Sequence, residues 1–527
     1  MTSMSQSKIA LIFFSFLVFS VLVLSVRGLP GNPNMDILMS PEWQGNGPFE
    51  SSNDRGRYAL VYSFLEDHSL QFSRQTAQFA TPDLAVTEKG EYVSLFAPGT
   101  SFLVMPGYII GKHLDASQVG TFAVVAVVAL MNTLLIYAIA KRLGSKPLAA
   151  GLAGLVFLFA TPAFAYAVSL SQHHFSVFLL LSSLYLIIRW NNWWSLSLVW
   201  LFCALSVVTD NPNLFFMFPI GVYALGRIVL LKKDDSELRF TIRPAYMLTF
   251  LMMIVPLAFF AWFNQSSNGD ALQLSGTLKR VLSVNDNTLE IPADEQTLSV
   301  VILADQDIRE RAKDTEKTAV GLFQTRNLWN GFYVHLISAD RGILWFAPVV
   351  LLGIFGLIFL FRLHAGITTV IIASIGANIL LYSMWGDPWG GWAFGSRYLI
   401  PTYALLCIGL GAALTHWRRN ILFLVVFSIL FTYSVKINAL GALGTSTIPP
   451  QVEVLALEKV TGKTQKYDFE RSRDYLHEQG SKSFVYNTFA RNYMTAPQYY
   501  TFVTSLIMVM AGILLLVLWF VSRKEKV

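Results

Sequence analysis

The chain has 527 residues, 54% of them hydrophobic and only 14% charged, against about 25% charged in an ordinary soluble domain. Spread over the whole length, that apolar excess excludes a string of soluble globular domains and argues for a chain that lives in lipid. The formal charge of +6 comes from basic residues in short clusters between apolar runs, a pattern that orients a membrane protein rather than one that binds nucleic acid. Cys203 and Cys407 both fall inside apolar runs and form no disulfide framework or metal-binding pattern.

About twelve apolar segments approach the roughly 20 residues that a membrane span needs. In the first half they are Ile9–Val26, Gly120–Ala140, Leu148–Val168, Phe175–Ile188, Trp194–Val208 and Leu214–Leu231. The second half adds Tyr246–Phe263, Ile343–Phe361, Ile367–Met384, Leu399–Leu414, Ile421–Val435 and Phe502–Val521. The first segment, with Lys8 ahead of it, has some features of a signal peptide; its length and the lack of a small-x-small site favour a retained helix. The stretch from Val93 to Ile110 is apolar but carries Pro98, Gly99, Pro106 and Gly107, so it reads as a pair of helices at the membrane interface.

Every second connection is basic: Lys141/Arg142/Lys146, Arg189, Lys232/Lys233 with Arg239/Arg243, Arg362, Arg418/Arg419, and the tail Arg523/Lys524/Lys526. By the positive-inside rule these connections and both termini are cytoplasmic. Three long loops then lie outside, at 27–119, 264–341 and 436–501. The expected architecture is an all-α polytopic membrane protein of about 12 transmembrane helices, with interfacial helices in the first outer loop and a small C-terminal outer subdomain. Its parts are a core over 1–435, an outer loop or subdomain over 436–501, and a last helix with a basic tail over 502–527.

The stretch Asn53-Asp54-Arg55-Gly56-Arg57-Tyr58-Ala59 in the first outer loop carries the chemistry. A carboxylate there can deprotonate an acceptor hydroxyl, and arginines can stabilise a leaving phosphate through paired hydrogen bonds. The same residues also read as a helix cap at Asp54 with the arginines on a wet face. Arg341, in Asp340-Arg341-Gly342, and Arg397, in Gly390-Gly391-Trp392-Ala393-Phe394-Gly395-Ser396-Arg397-Tyr398, enter later segments from the same side. They suit either a phosphate or an aromatic belt with snorkelling arginines. Further candidates for substrate contact are Tyr58, Glu66, Asp67, His173, His174, Asp210 and Trp392. Adjacent histidines on a helix point about 100° apart, so His173 and His174 do not make a metal pair and at most one of them faces a ligand. Asp210, in Asp210-Asn211-Pro212-Asn213, also reads as a turn residue. Glu66 and Asp67 are the fallback bases. The sequon Asn264-Gln265-Ser266 lies too close to an apolar segment for modification to be expected.

An acid followed by Arg-Gly-Arg-Tyr-Ala-Leu after the first span resembles the first outer loop of polytopic GT-C glycosyltransferases. It is close to the Asp-Glu-x-Arg-Tyr-Ala pattern of the lipid A aminoarabinose transferases, relatives of the protein O-mannosyltransferases. The two later arginine-bearing entries are similar to segments of family 39-like transferases. The resemblance implies an integral membrane glycosyltransferase of a prokaryotic plasma (inner) membrane. Its donor would be a polyprenyl-phosphate sugar and its acceptor a glycan, lipid or protein, with Asp54 as base and inversion at the anomeric carbon. This chain has Arg55 where those enzymes carry a second acid. It has Leu95 and Phe96 near the place of their phosphate-contacting lysine. The cation for the donor phosphate is therefore expected from Arg57, Lys89, Arg341 or Arg397. No cofactor is implied, and a divalent metal is left open. A transporter or flippase of lipid-linked substrates, or a surface-polysaccharide ligase or polymerase, fits the span count as well. Long charged loops and nearly charge-free spans favour transfer over transport. The third long loop matches no known segment, and acceptor contact through its tyrosines is a further expectation.

Overall fold

The protein was examined as a computed structural model, which describes residues 6–234, 237–281, 284 and 324–524. Residues 285–323 of the second long loop and Lys526 of the basic tail, both used in the sequence reading, lie outside the described residues.

The chain is mostly helical. Helix α1 (Gln6–Ser25) leads into the first long loop, which holds α2 (Ser52–Leu65), α3 (Arg74–Ala80), strands β1 (Leu84–Val86) and β2 (Tyr92–Ser94), and α4 (Gly99–His113). Then follow α5 (Ser117–Arg142), α6 (Pro147–Phe159), α7 (His173–Arg189), α8 (Trp193–Thr209) and α9 (Asn213–Leu225). After the hairpin β3 (Val229–Asp234) and β4 (Glu237–Ile242) come α10 (Ile254–Asn268), β5 (Lys279–Val281) and α11 (Leu328–Leu336). The last elements are α12 (Leu352–Leu363), α13 (Ala365–Ser383), α14 (Ile400–His416), α15 (Ile421–Leu443), α16 (Gln451–Thr461), α17 (Phe469–Glu478) and α18 (Ala496–Lys524).

Six of the described helical stretches are long and apolar enough to cross a membrane, and six shorter apolar helices coincide with the remaining apolar segments. Together they make an integral, multi-pass membrane protein. Large apolar side chains such as Phe16 on α1, Leu422 and Ile429 on α15 and Val509 and Leu516 on α18 are exposed, as a lipid-facing surface requires. The centre is α14, whose apolar window is 89% buried, against 33% for α18. Small residues let helices cross closely there: a Cβ on Gly356 of α12 would overlap the carbonyl oxygen of Gly409 on α14.

The mostly helical fold carries two small sheets, in which β1 pairs antiparallel with β2 and with β5, and β3 pairs with β4. Two expectations are corrected. The hairpin explains why the apolar run Leu214–Leu231 is not one helix: α9 ends at Leu225, and the chain turns at Gly226. Leu238, Phe240 and Ile242 alternate with polar residues, a period-two signal for a strand. Finally, Val93–Ile110 is not a helix pair. Val93 lies in β2, and α4 runs unbroken through Pro106.

The basic residues that orient the chain sit at one end of these helices: Lys141 and Arg142 end α5, Arg189 ends α7 and Arg362 ends α12. Cations at helix C-termini also complement the helix dipole. His173 begins α7, Asp210 caps the end of α8 and Arg397 leads into α14, so all three lie at the opposite ends of the bundle.

Candidate functional site

Helix α2 starts at Ser52, with Ser51 as N-cap, and Asp54 lies inside its first turn. The capping alternative therefore does not hold: Asp54 does not cap a helix near Gly56, and Arg57 is buried rather than on a wet face. Asp54 is 5% exposed, and among the described residues no group donates a hydrogen bond to its carboxylate. Burial raises its pKa to about 7, against the opposing pull of Arg57, Arg27 and Arg397 and with a push in the same direction from Glu50. A carboxyl poised near neutrality, uncommitted to any partner, is what a general base needs.

Arg57 follows one turn later. Its guanidinium lies over the Phe96 ring at 4.2 Å, and its Nη1 donates to the Asn53 carbonyl at 3.1 Å. Phe96 thus stands under a cation, a contact worth about 0.5–2 kcal/mol. Burial lowers the Arg57 pKa to about 10, and Asp210 is the acidic neighbour that counters this most. Asp210 is itself raised by burial and accepts from Gln172 Nε2 at 3.3 Å.

Arg397 arrives from the far end of the sequence. With the Asn53 side-chain oxygen turned toward it, both its Nη atoms donate to Asn53, Nη2 at 3.0 Å; the Asn53 amide nitrogen then donates to Asp83 Oδ2 at 3.1 Å. Asp83 is held in turn by Ser52 Oγ at 2.6 Å and Arg280 Nη2 at 2.9 Å. Gly390 permits this approach, since a Cβ there would lie 3.1 Å from Arg397 Nε and its φ of +71° is one that side chains disfavour. Beside Arg397, the Tyr398 ring stacks on Tyr382 at 4.2 Å, and His335 Nδ1 lies 2.7 Å from Ser396 Oγ. The Nε atoms of Arg57 and Arg397 and Nε2 of His173 are buried without a hydrogen-bond partner. Orphaned donors at that depth are costly unless a ligand meets them.

The two histidines separate in role. His173 packs edge-to-face on Tyr166 at 5.5 Å, and the Tyr166 hydroxyl accepts from the Phe394 amide at 2.9 Å, two links from Arg397. His174 is a packing residue: its Nε2 lies 2.8 Å from the Ala163 carbonyl, and Asn132 Nδ2 donates to its backbone oxygen at 2.9 Å.

The other expected site residues make different contacts. Arg341 donates to the carbonyls of Trp389, Gly391, Ile448 and Asp340 at 2.8–3.0 Å, so its guanidinium binds the chain together. Lys89 is exposed in the turn between β1 and β2. Tyr58 is fully buried among Phe49, Phe79 and Tyr108. Glu66 caps the other end of α2 and pairs with Lys112 Nζ at 2.7 Å, about 18 Å along the helix from Asp54. Asp67 beside it accepts from Thr76 Oγ1 at 3.5 Å. Trp392 donates to Glu453 Oε2 at 2.8 Å and lies under Arg471, which ties it to α16 and α17. Arg55 donates to the carbonyls of Phe49, Glu50, Phe79 and Thr81 and so braces α2 against α3. Among the described residues, no three His, Cys, Asp or Glu side chains gather as a metal site would require.

Sequence reasoning passed over Asn53 and Asp83. Asn53 lay inside the quoted motif, but its link to a residue 344 positions later has no local signal.

No known family model matches the chain, and no curated protein matches it. Among solved structures, the chain is similar to ArnT from Cupriavidus metallidurans in the apo state. The identity is 13% and the TM-score 0.45, over 96% of this chain and 78% of that one. The same protein bound to undecaprenyl phosphate gives 14% identity and a TM-score of 0.46, over 96% and 76%. The Archaeoglobus fulgidus oligosaccharyltransferase, in complex with zinc and sulfate, gives 15% identity and a TM-score of 0.45, over 88% of this chain and 56% of that one. Both proteins are membrane glycosyltransferases of the GT-C type, the family that the first-loop motif resembles.

Proposed function

We propose that this protein is a membrane glycosyltransferase that moves a sugar from a polyprenyl-phosphate donor to an acceptor hydroxyl on the outer face of the membrane. The observation that carries the reading is a buried carboxylate that accepts no hydrogen bond among the described residues, held near neutral pKa, beside two arginines whose buried Nε atoms have no partner among those residues. In this reading Asp54 takes the acceptor proton as the acceptor oxygen bonds to the anomeric carbon. The bond from that carbon to the phosphate oxygen breaks, and the electron pair leaves with the lipid phosphate. Arg57 and Arg397 stabilise the developing charge, a role for which fixed guanidinium donors in a buried site are well suited. A single displacement of this kind inverts the anomeric centre.

The donor's isoprenoid needs an apolar path reaching that phosphate. A groove of about 450 Å³ runs between α12, α13 and α14, lined by residues such as Leu351, Ile354, Ile358, Ile372 and Ile379. Thr402 and Leu406 also line it, on the helix that follows Arg397. Arg341, with its donors committed to backbone oxygens, serves this reading as a brace of the loop before Arg397. Lys89, Glu66 and Asp67 are given no role in it.

The test uses purified protein in vesicles with a labelled polyprenyl-phosphate sugar. Acceptor-dependent release of free polyprenyl phosphate is the expected outcome, and Asp54→Asn should lower it by about 10²–10⁴-fold without loss of folded protein. An Asp54→Asn protein that transfers at the normal rate removes Asp54 as the base. Passage of intact donor across the vesicle, with no cleavage, would replace transfer by transport.

A further inference from the structure

Three charged side chains outside the site are buried against one another. Arg27 follows α1, Glu50 precedes α2, and Lys482 follows α17. Arg27 Nη1 lies 2.6 Å from Glu50 Oε1 and Lys482 Nζ lies 2.7 Å from Oε2, with each side chain at most 3% exposed. Most of the cluster's other hydrogen bonds run to the third long loop. The Ser446 amide and hydroxyl donate to Glu50 Oε1 at 2.7 and 2.9 Å, and Thr445 Oγ1 donates to Oε2 at 2.6 Å. Arg27 Nε and Nη2 donate to the carbonyls of Ala442 and Gly444, and Lys482 Nζ donates to Gly47 oxygen at 2.9 Å. Backbone bonds run alongside, from Gly28 to Lys482 oxygen and from Lys482 to Leu443 oxygen. One carboxylate therefore holds two cations from opposite ends of the sequence, and it stands four residues before Asp54.

We propose that Glu50, clamped between Arg27 and Lys482, is a positioning residue that docks the 443–483 stretch under the start of α2 and sets the charge against which Asp54 gains and loses its proton. Burial alone would raise the Glu50 pKa, but Lys482 and Arg27 override it and hold Glu50 below the usual carboxylate range. It is therefore charged at any working pH, and its negative charge opposes ionisation of Asp54 while Arg27 favours it. The other charges that bear on Asp54 are Arg57 and Arg55 on its own helix and Arg397 from the start of α14, which the cluster leaves in place. Neutralising Glu50 leaves two buried cations without their anion and so favours the Asp54 carboxylate. Removing Lys482 leaves Glu50 with one counter-charge fewer and so disfavours it. The inference rests on the reading of Asp54 as a base, yet its effect on the Asp54 proton can be measured without any substrate.

The probe is dicyclohexylcarbodiimide, which reacts with protonated buried carboxyls, applied to the full chain in detergent across a pH series. Modification of Asp54 is read by peptide mass spectrometry. In the unaltered protein the labelling midpoint is expected near pH 7. Glu50→Gln should move it down by about one pH unit, and Lys482→Met should move it up. Hydrogen exchange should show faster exchange of the Ser446 amide, which donates to Glu50, in Glu50→Gln. Unmoved midpoints in the folded variants overturn the proposal, as do shifts of the same sign. If Glu50→Gln does not fold, Lys482→Met decides alone, and an unmoved midpoint there is equally fatal. Absence of sugar transfer would count against the glycosyltransferase reading and leave this result standing.

Discussion

At the scale of single residues, the pKa of Asp54 has a direct kinetic consequence. A base must be ionised to accept a proton, so transfer should fall as pH drops through about 7 and reach a plateau above it. The measurement is a pH–rate profile of phosphate release. An acid limb near pH 4, the range of an ordinary aspartate, would mean that the catalytic base is not a buried Asp54. The candidacy of Asp54 is legible in the sequence, because a motif of Asp, Arg, Gly and Tyr is local. The partners are not. Arg55 and Arg57 are two residues apart, yet one binds four backbone carbonyls and the other sits over Phe96 with a free Nε. Only the packing of α2 against α3 and the loop before α4 separates their roles. Arg341 and Arg397 diverge for the same reason: both enter the bundle from one side, but backbone oxygens saturate Arg341.

At the scale of elements, close helix crossings decide how firmly the site is framed. Gly356 and Gly409 let α12 and α14 touch backbone to backbone. Gly356→Val forces the helices apart and should cost about 1–3 kcal/mol. The expected readout is a lower thermal midpoint of the purified protein, with weaker transfer, since α14 follows Arg397. An unchanged midpoint would mean that the crossing relaxes freely. Apolar periodicity anticipated these helices well, because a run of apolar residues long enough to span must satisfy its own backbone in lipid. The strands were less visible. Strands β1, β2 and β5 are three residues each and are stabilised by pairing between the first and second long loops, which no short window reveals.

At the scale of the whole molecule, the basic helix ends and the Asp54 group occupy opposite ends of the bundle. The positive-inside rule then implies that the Asp54 group faces outward. With Cys203 and Cys407 replaced by Ala, a cysteine at exposed Lys89 (Lys89→Cys) should react with a membrane-impermeant maleimide on intact cells. A cysteine at exposed Lys141 (Lys141→Cys) should react only after permeabilisation. The reverse pattern would invert the orientation and put the chemistry on the cytoplasmic side.

The sequence by itself determined the membrane character, the helical segments and the charge alternation. It also singled out the Asp54 motif. These follow from composition and short-range pattern, which act on each segment before any two segments meet. The tertiary structure alone decided which arginine keeps a free donor, which histidine keeps an unpartnered ring nitrogen, and that Glu50 binds Arg27 and Lys482. Such outcomes depend on desolvation and hydrogen-bond geometry between residues hundreds of positions apart, and those exist only once the helices have packed.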